Sequence, residues 1–364
     1  MALIDFKVLP GIDKQDTTSG AENRWVDCDN TRFRYGLPEK VGGWSSLVTD
    51  TIVGVARRQF AFVDLDGNRY IAIGTDKFLL IYFEGQLYDI TPLKTTLSSC
   101  TIATTNNSAI CSITKASHGL SAGDIVLLDN VTLPVGTGYS NSDFEDKLFQ
   151  VTSITSSSVF TITQSSNATA TVSTGGSLEV KPYEQVGPAE QSYGYGWGID
   201  TWSSGAWGEA ASASDVSLEP GLWSLSNFGQ VLVATIANGK TFTWNAGIAA
   251  RLTTRASTTT SGFSTSANPT ATRVTLVSPT TRHLIHLGTE TTIGDTSTQD
   301  DMFIRFSDQE DINDYTPTAI NSAGSQRLQD GTKIMGSLKA KETILVWTDN
   351  ALYTMKFIGS PFTF

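Results

Sequence analysis

The chain contains the phrase Tyr70-Ile-Ala-Ile-Gly-Thr75, followed two residues later by Phe78-Leu-Leu-Ile-Tyr82, and this two-part phrase recurs three more times with different residues. The other copies pair 232–235 with 241–244, 284–289 with 302–306, and 344–348 with 351–355. Each copy is an apolar run that ends in Thr, then a polar turn or a longer loop, then a run that contains aromatic residues. Such runs, separated by turn pairs such as Asn238-Gly239, predict β-hairpins. Hairpins that recur along a chain are typical of the blades of a β-propeller or a similar repeat sheet.

The spacing of these phrases predicts an insertion. The closing threonines, at 75, 235, 289 and 348, are separated by 160, 54 and 59 residues. The last two intervals are slightly longer than the roughly 40 to 50 residues of a usual blade, and the first is too long for one blade. We place the insertion at residues 96–181, where a Ser/Thr-rich sequence has its own short strand patterns at 110–114, 125–128, 149–152 and 159–163. We expect a small β-barrel or sandwich there.

The predicted fold is therefore all-β, and it has three parts. Residues 1–50 form an N-terminal arm, residues 51–95 and 182–364 form a propeller-like domain of hairpin blades, and residues 96–181 form the inserted module. Helix should be scarce, because no stretch carries apolar residues at helical spacing over three turns. The sequence ends at Phe364 within a strand-like run, so we expect it to be part of a longer protein whose propeller is incomplete at this end.

Composition narrows the function classes. No apolar run approaches the roughly 18 residues of a membrane span, and the start lacks the apolar segment of a signal peptide, so synthesis in a cytoplasm is expected. The three cysteines, at 28, 100 and 111, contain no CxxC pair and are expected to be reduced thiols. The net charge of -11 argues against a surface that grips nucleic acid. It fits ordinary solubility, or a carboxylate-lined channel along which DNA slides.

No motif indicates an enzyme, a metal site or a cofactor. His283 and His286 are three residues apart, which on a strand directs them to opposite faces, so they are not expected to chelate one metal. The acids around Gly67 fit a hairpin turn better than a calcium loop, because the bidentate acid that should follow is missing. The acidic run 308–314 is expected to be a solvated turn, since adjacent acids on one loop do not face each other across a cleft.

Two aromatic clusters are candidate interfaces. The first has Trp197, Trp202 and Trp207 in a Gly-rich stretch at 193–208. Indoles on such loops anchor subunit interfaces, pack the loop itself or stack on sugars, and we favour interface or loop packing because few polar partners are interleaved. The second cluster, with Trp25 and Trp44, lies in the arm and is expected to pack against the propeller or a neighbouring subunit.

Several of these segments resemble tail proteins of double-stranded DNA bacteriophages, and in particular the β-propeller-bearing tail nozzle, or tail tubular protein, of short-tailed phages. The segments are 23–27, 32–44, 193–208, 222–229 before 243–245, 305–308, 315–317 and 343–348. The insertion, with 118–124 and 149–152, is similar to small β modules that recur in phage tail proteins.

The resemblance implies a non-enzymatic virion protein made in the host cytoplasm. Its copies would form a ring, a hexamer, beneath the portal and adaptor, with fibres on the outer face and genomic DNA passing through the lumen without sequence-specific binding. Three alternatives stay open. A distal-tail or baseplate protein would differ only in its neighbours. A receptor-binding propeller that contacts the host surface would expose the Trp197, Trp202 and Trp207 loop. A secreted glycan hydrolase would need two carboxylates that converge at the propeller centre.

Overall fold

The computed structural model describes residues 8–43, 45–48, 50–190, 219–258, 267–359 and 363–364. The chain divides into two compact units, Met1–Thr49 and Asp50–Phe364. In the first unit, β1 (Leu9–Ile12) pairs in parallel with β2 (Arg24–Trp25), and β3 (Thr31–Arg34) forms a hairpin with β4 (Leu37–Lys40). Most of these strand residues are exposed.

The second unit consists of four antiparallel sheets and one closed barrel, and within each sheet the strands follow one another in chain order. Sheet 1 contains β5 (Ala56–Val63), β6 (Arg69–Thr75), β7 (Leu79–Phe83) and β8 (Gln86–Asp89); the barrel contains β9 (Leu97–Thr104), β10 (Ile110–Thr114), β11 (Ile125–Thr132), β12 (Lys147–Ser156), β13 (Val159–Thr163) and β14 (Val172–Pro182); sheet 2 contains β15 (Trp223–Phe228), β16 (Val231–Ile236) and β17 (Thr241–Asn245); sheet 3 contains β18 (Thr272–Val277), β19 (Leu284–Thr289), β20 (Phe303–Phe306) and β21 (Gly324–Arg327); sheet 4 contains β22 (Ile334–Lys339), β23 (Ile344–Thr348) and β24 (Leu352–Met355).

The fold class predicted from the sequence is confirmed. Each copy of the repeated phrase forms the second and third strands of one sheet, and these strands pair as antiparallel hairpins. The insertion is a barrel rather than a sandwich, with strand order β10-β13-β12-β11-β14-β9. The first and last barrel strands, β9 and β14, had no clear pattern in the sequence. In the described part of the chain the only helical segments are two 3₁₀ turns, at Asn141–Asp143 and Thr296–Thr298. Among those same residues, no helix is long and apolar enough to cross a membrane.

Neighbouring sheets pack face to face. Between sheets 1 and 2 the core is aromatic, and the rings of Tyr70 and Trp244 lie edge to face with centroids 5.6 Å apart. Gly74 of sheet 1 lies against Trp223 of sheet 2, and no larger residue fits there because a Cβ would overlap the Trp223 side chain. The indole N–H of Trp223 donates to the Thr75 carbonyl at 3.0 Å. Between sheets 3 and 4 the core is aliphatic and includes Ile285 and Val346.

The closing threonines are buried and have a structural role. Thr75 Oγ1 accepts the backbone N–H of Phe78 at 2.7 Å, and Thr348 Oγ1 accepts that of Ala351 at 2.8 Å, so both side chains close a tight hairpin turn. Without the threonine oxygen, the turn would bury a backbone N–H that has no hydrogen-bond acceptor. This explains the Thr at the end of two of the four apolar runs; Thr235 instead bonds to the Thr241 hydroxyl, and Thr289 donates to the Ala271 carbonyl.

Candidate functional site

The first strands of the four sheets come together around one cavity. Residues of β5, β15, β18 and β22, together with 219–222, line a space of about 490 Å³. The arrangement follows from the topology: when strands follow one another in chain order, the first strand lies at the same edge of every sheet, and stacking the sheets brings these edges together. Contacts between β5 and β15 and between β15 and β18 hold the edges in place.

Two of the four cations that line the cavity are paired within the fold. Arg57 donates to the carbonyl oxygen of Gly221 at 2.6 Å and also to the carbonyl of Ala189. Arg273 pairs with Glu219 at 2.8 Å and donates to the carbonyl of Ile334 at 3.2 Å. Glu219 is the one carboxylate among the described lining residues. These two arginines therefore hold backbone segments to the sheet edges.

The other two cations, Arg58 and Lys339, have no carboxylate partner among the described residues. The side chain of the exposed Arg58 makes no hydrogen bond within the described part of the chain. Lys339 donates to the hydroxyl of Ser226 at 3.0 Å, and its ammonium lies 5.7 Å from the centre of the Phe60 ring. Burial lowers the pKa of Lys339, and the charge of Arg58 lowers it further. Positive charge thus accumulates in one cavity of an acidic protein.

A buried polar layer lies on the face of sheet 3 that turns toward sheet 2. By strand alternation His286 shares this face with Leu284, which packs with Val233 of sheet 2. His286 is hydrogen bonded through Nδ1 to Thr272 at 3.2 Å and through Nε2 to the hydroxyl of Tyr315 at 2.9 Å. Burial lowers the pKa of His286 to about 3, and the nearby Arg305 charge acts in the same direction. The ring is therefore neutral in the folded protein.

The residues that the sequence singled out for ligand chemistry are engaged within the protein. His283 bonds to Thr281 at 2.6 Å and to Ser322 at 2.9 Å, so, as in His286, both ring nitrogens already contact protein oxygens. Asp64 closes the β5–β6 turn by accepting the backbone N–H groups of Asp66 and Asn68, both at 2.9 Å, which confirms the hairpin interpretation.

The acidic run 308–314 lies in the loop between β20 and β21. Asp308 accepts the backbone N–H of Ser322 at 2.8 Å, and Glu310 forms an exposed ion pair with Arg282 at 2.6 Å. The hydrogen bonds from Ser322 lower the pKa of Asp308 against an opposing effect of burial. The run lies in a turn, as the sequence predicted, and its carboxylates also hold loop backbone and a surface cation.

Three carboxylates of the barrel, Asp129, Glu145 and Asp146, lie close enough to one another to share a cation. Two of them already have structural partners. Asp129 pairs with Lys181, whose hydrogen bond is the main reason that the pKa of Asp129 is lowered. Glu145 accepts the backbone N–H groups of the bulge that follows Asp129.

The structure describes only one of the five predicted interface tryptophans. Trp25 is half-buried in β2, and its ring centroid lies 6.3 Å from that of Phe33. Its indole N–H finds no hydrogen-bond partner among the residues that the structure describes. Trp44, Trp197, Trp202 and Trp207 lie outside the described residues. Among the cations of the cavity between the first strands, only Arg57 and Arg58 are adjacent in the sequence. Lys339 is 281 positions away, and no sequence pattern links it to that pair.

The barrel is attached to sheet 1 by two paired connections. The connection that enters the barrel bonds to the one that leaves it, from Lys94 N–H to Pro182 carbonyl at 2.8 Å and from Glu184 N–H to Pro92 carbonyl at 2.9 Å. Tyr183, in the returning connection, packs with Leu80 of sheet 1. The barrel is thus held at a fixed position rather than on a flexible tether.

A charged cluster secures this attachment. Tyr183 donates its hydroxyl to Asp89 at 2.7 Å, and Arg255 contacts both residues, at 2.8 Å to Asp89 and 2.7 Å to the Tyr183 oxygen. The guanidinium also lies 4.8 Å from the centre of the Tyr183 ring. Burial raises the pKa of Tyr183, and the Asp89 charge raises it further, so the hydroxyl remains protonated and donates. The cluster joins the end of sheet 1, the barrel connection and the segment after sheet 2.

No protein-family model matches the chain, and no curated protein matches it. Among solved structures, the chain is similar to the Phage phi92 endosialidase with a TM-score of 0.22 and 14% sequence identity, over 77% of this chain and 39% of that chain. The chain therefore spans well under half the length of that structure. At this TM-score the similarity supports no conclusion about activity or assembly.

Proposed function

We propose that this chain is a structural protein of a bacteriophage tail, of the nozzle type, whose copies assemble into a ring around the path of the genome. Its sequence segments support the class, because they resemble tail proteins. The observation that carries the assembly part of the proposal is the difference between the two ends of the sheet stack.

One end of the stack is covered. On the outer face of sheet 1, Leu80 packs with Tyr183, and Ile125 and Leu127 of the barrel strand β11 lie against the same cluster. The barrel therefore shields apolar surface of sheet 1 from solvent, as each later sheet does for its neighbour.

The other end of the stack presents an apolar face. Cross-strand pairing places Leu338 opposite Leu345, and Trp347 opposite Leu352, all on the face of sheet 4 directed away from sheet 3. Leu338 is 57% exposed, Leu352 54% and Trp347 37%. Contiguous exposed apolar side chains that include an indole are typical of protein interfaces. We assign this face, the sheet 4 outer face, to contact with a second copy of the chain; in the longer protein that the sequence predicts, a further blade would be the alternative occupant.

The other parts fit the same role. A barrel fixed by paired connections suits a platform for neighbouring tail components such as fibres or an adaptor. The net charge of -11 suits a ring through which DNA passes, because carboxylates repel phosphates and leave the genome free to slide. These assignments rest on the ring, and the oligomeric state is therefore the first property to measure.

The test compares two double variants by size-exclusion chromatography with light scattering. Trp347→Lys with Leu352→Lys places two charges on the sheet 4 outer face, whereas Leu65→Lys with Ile320→Lys places them at sites that are 83% and 98% exposed elsewhere. The wild type and the second variant should form a defined oligomer, and the first variant should be monomeric with an unchanged circular-dichroism spectrum. A monomeric wild type, or equal assembly of both variants, would contradict the proposal.

A further inference from the structure

The cavity among the first strands has the features of an anion site. It has a volume of about 490 Å³, within the range of small-molecule sites. Its walls combine apolar side chains, among them Leu222, Met335 and Leu338, with four cations against one carboxylate. This excess of positive charge stands out in a chain with 36 acidic and 25 basic residues.

Fold stability does not explain all of this charge. Arg57 and Arg273 hold backbone and carboxylate partners, so their place is accounted for by the fold. Arg58 and Lys339 have no such partners in the described part of the chain, and each raises the electrostatic free energy of the other. Two like charges that line one cavity without a counter-charge create a positive potential that attracts an anion.

The supporting groups orient this pair. Ser226 is 1% exposed; its hydroxyl accepts the backbone N–H of Val277 at 3.2 Å and the Lys339 ammonium at 3.0 Å. The hydroxyl is thereby fixed, and it holds the ammonium of Lys339, the last residue of β22. Arg58 lies on the edge strand β5, and its guanidinium makes no hydrogen bond to any of the described residues. A guanidinium fork beside an ammonium is the donor set that phosphate oxygens accept.

We propose that Arg58 and Lys339 bind the phosphate group of a small phosphorylated ligand in this cavity. A phosphate is favoured over a carboxylate because two un-neutralised cations match a group that carries close to two negative charges. The apolar wall residues would contact the rest of the ligand. The inference does not require the ring, since the cavity lies within one chain, although Leu338 belongs both to the cavity wall and to the sheet 4 outer face.

The probe is inorganic phosphate, added at roughly 10 mM with ionic strength held constant by chloride, and binding is followed by calorimetry and by the thermal unfolding midpoint. Phosphate should raise the midpoint of the wild type. Arg58→Gln and Lys339→Gln should each weaken phosphate binding by about tenfold or more, and Lys356→Gln, an exposed lysine at 60% side-chain exposure, should not.

A second readout separates binding from folding. Without phosphate, Lys339→Gln should unfold at the same temperature as the wild type or higher, because it removes like-charge repulsion, whereas a lysine that merely supports the fold would lower the midpoint when replaced. No phosphate response in the wild type, or an equal response in all variants, would overturn the proposal. Tighter binding of succinate would point to a carboxylate partner instead, and binding of a short oligonucleotide without phosphate binding would point to DNA; either result would also overturn it.

Discussion

Asp76 accepts a hydrogen bond from the backbone N–H of Val55 at 2.6 Å, and thereby ties the turn after the second strand of sheet 1 to the segment before its first strand. The same relationship recurs in two other sheets. Glu290 accepts the N–H of Thr270 at 3.1 Å, and Asp349 accepts that of Thr332 at 2.8 Å. In each case the acid directly follows the closing threonine. Sheet 2 has Ile236 at this position, and there Ala237 N–H donates to the Leu222 carbonyl at 2.9 Å instead.

This carboxylate cap predicts a stability effect. Asp76 is 7% exposed, so Asp76→Ala would leave the Val55 N–H without its acceptor. Loss of a hydrogen bond to a buried charged group costs about 1–3 kcal/mol, and we expect a decrease of that size in the free energy of unfolding measured with urea. Asp66→Ala, in the adjacent β5–β6 turn, should change it by less than about 0.5 kcal/mol. Equal effects of the two substitutions would argue against the cap.

His286 makes stability depend on pH in a defined direction. Its pKa is about 3 in the folded protein and 6.5 in the reference state, so the unfolded chain binds a proton first as the pH falls. The contribution of the neutral ring is complete above about pH 6.5 and is lost as the pH falls toward 3, with a slope of up to about 1.4 kcal/mol per pH unit. Burial lowers the pKa of His283 as well, which adds to the effect in the same direction.

The direct measurement is an NMR titration of the imidazole resonances, and it is simple because the chain has three histidines. The His286 resonance should not move between about pH 7.5 and about pH 4.5, since that range lies above its folded pKa. An inflection for His286 near pH 6 would show that the ring is not buried as described.

Tyr183→Phe should weaken the attachment of the barrel. The substitution keeps the ring that packs on Leu80 but removes the hydroxyl shared by Asp89 and Arg255. We expect a loss of about 1–2 kcal/mol in unfolding free energy. Tyr88→Phe is the matched control, because among the described residues its hydroxyl bonds only to the exposed Gln86. If the two variants were equally stable, the charged cluster of Tyr183, Asp89 and Arg255 would have no role in holding the barrel.

The barrel is expected to be separable from the sheets. Its core is a distinct apolar cluster, and sheets 1 and 2 share another. Removing 96–181 and joining Thr95 to Pro182 by a short Gly/Ser linker should leave one cooperative unfolding transition, with a lower midpoint because Ile125 and Leu127 no longer cover sheet 1. Calorimetry of the deleted chain tests this, and the absence of any folded protein would contradict it.

Local patterns in the sequence predicted much of the secondary structure. Hairpins at the four repeated phrases follow from runs of strand-forming residues and turn residues, which act over a few positions. The tight turns at Thr75 and Thr348 are equally local, since each threonine bonds within three residues. The barrel strands β9 and β14 were missed because their Ser, Thr and Gly residues give a weak alternation of polar and apolar positions. They form strands because they pair with each other in the barrel.

The sequence by itself therefore determined the fold class and the recurrence of the hairpins, because these depend on the spacing of neighbouring residues. Only the tertiary structure decided which distant groups meet. Arg58 and Lys339 line the same cavity because four sheets stack with their first strands at one edge, and Tyr183 reaches Asp89 because the barrel returns the chain to its starting sheet. Charge and packing act through space, so neither arrangement could be read from the order of residues.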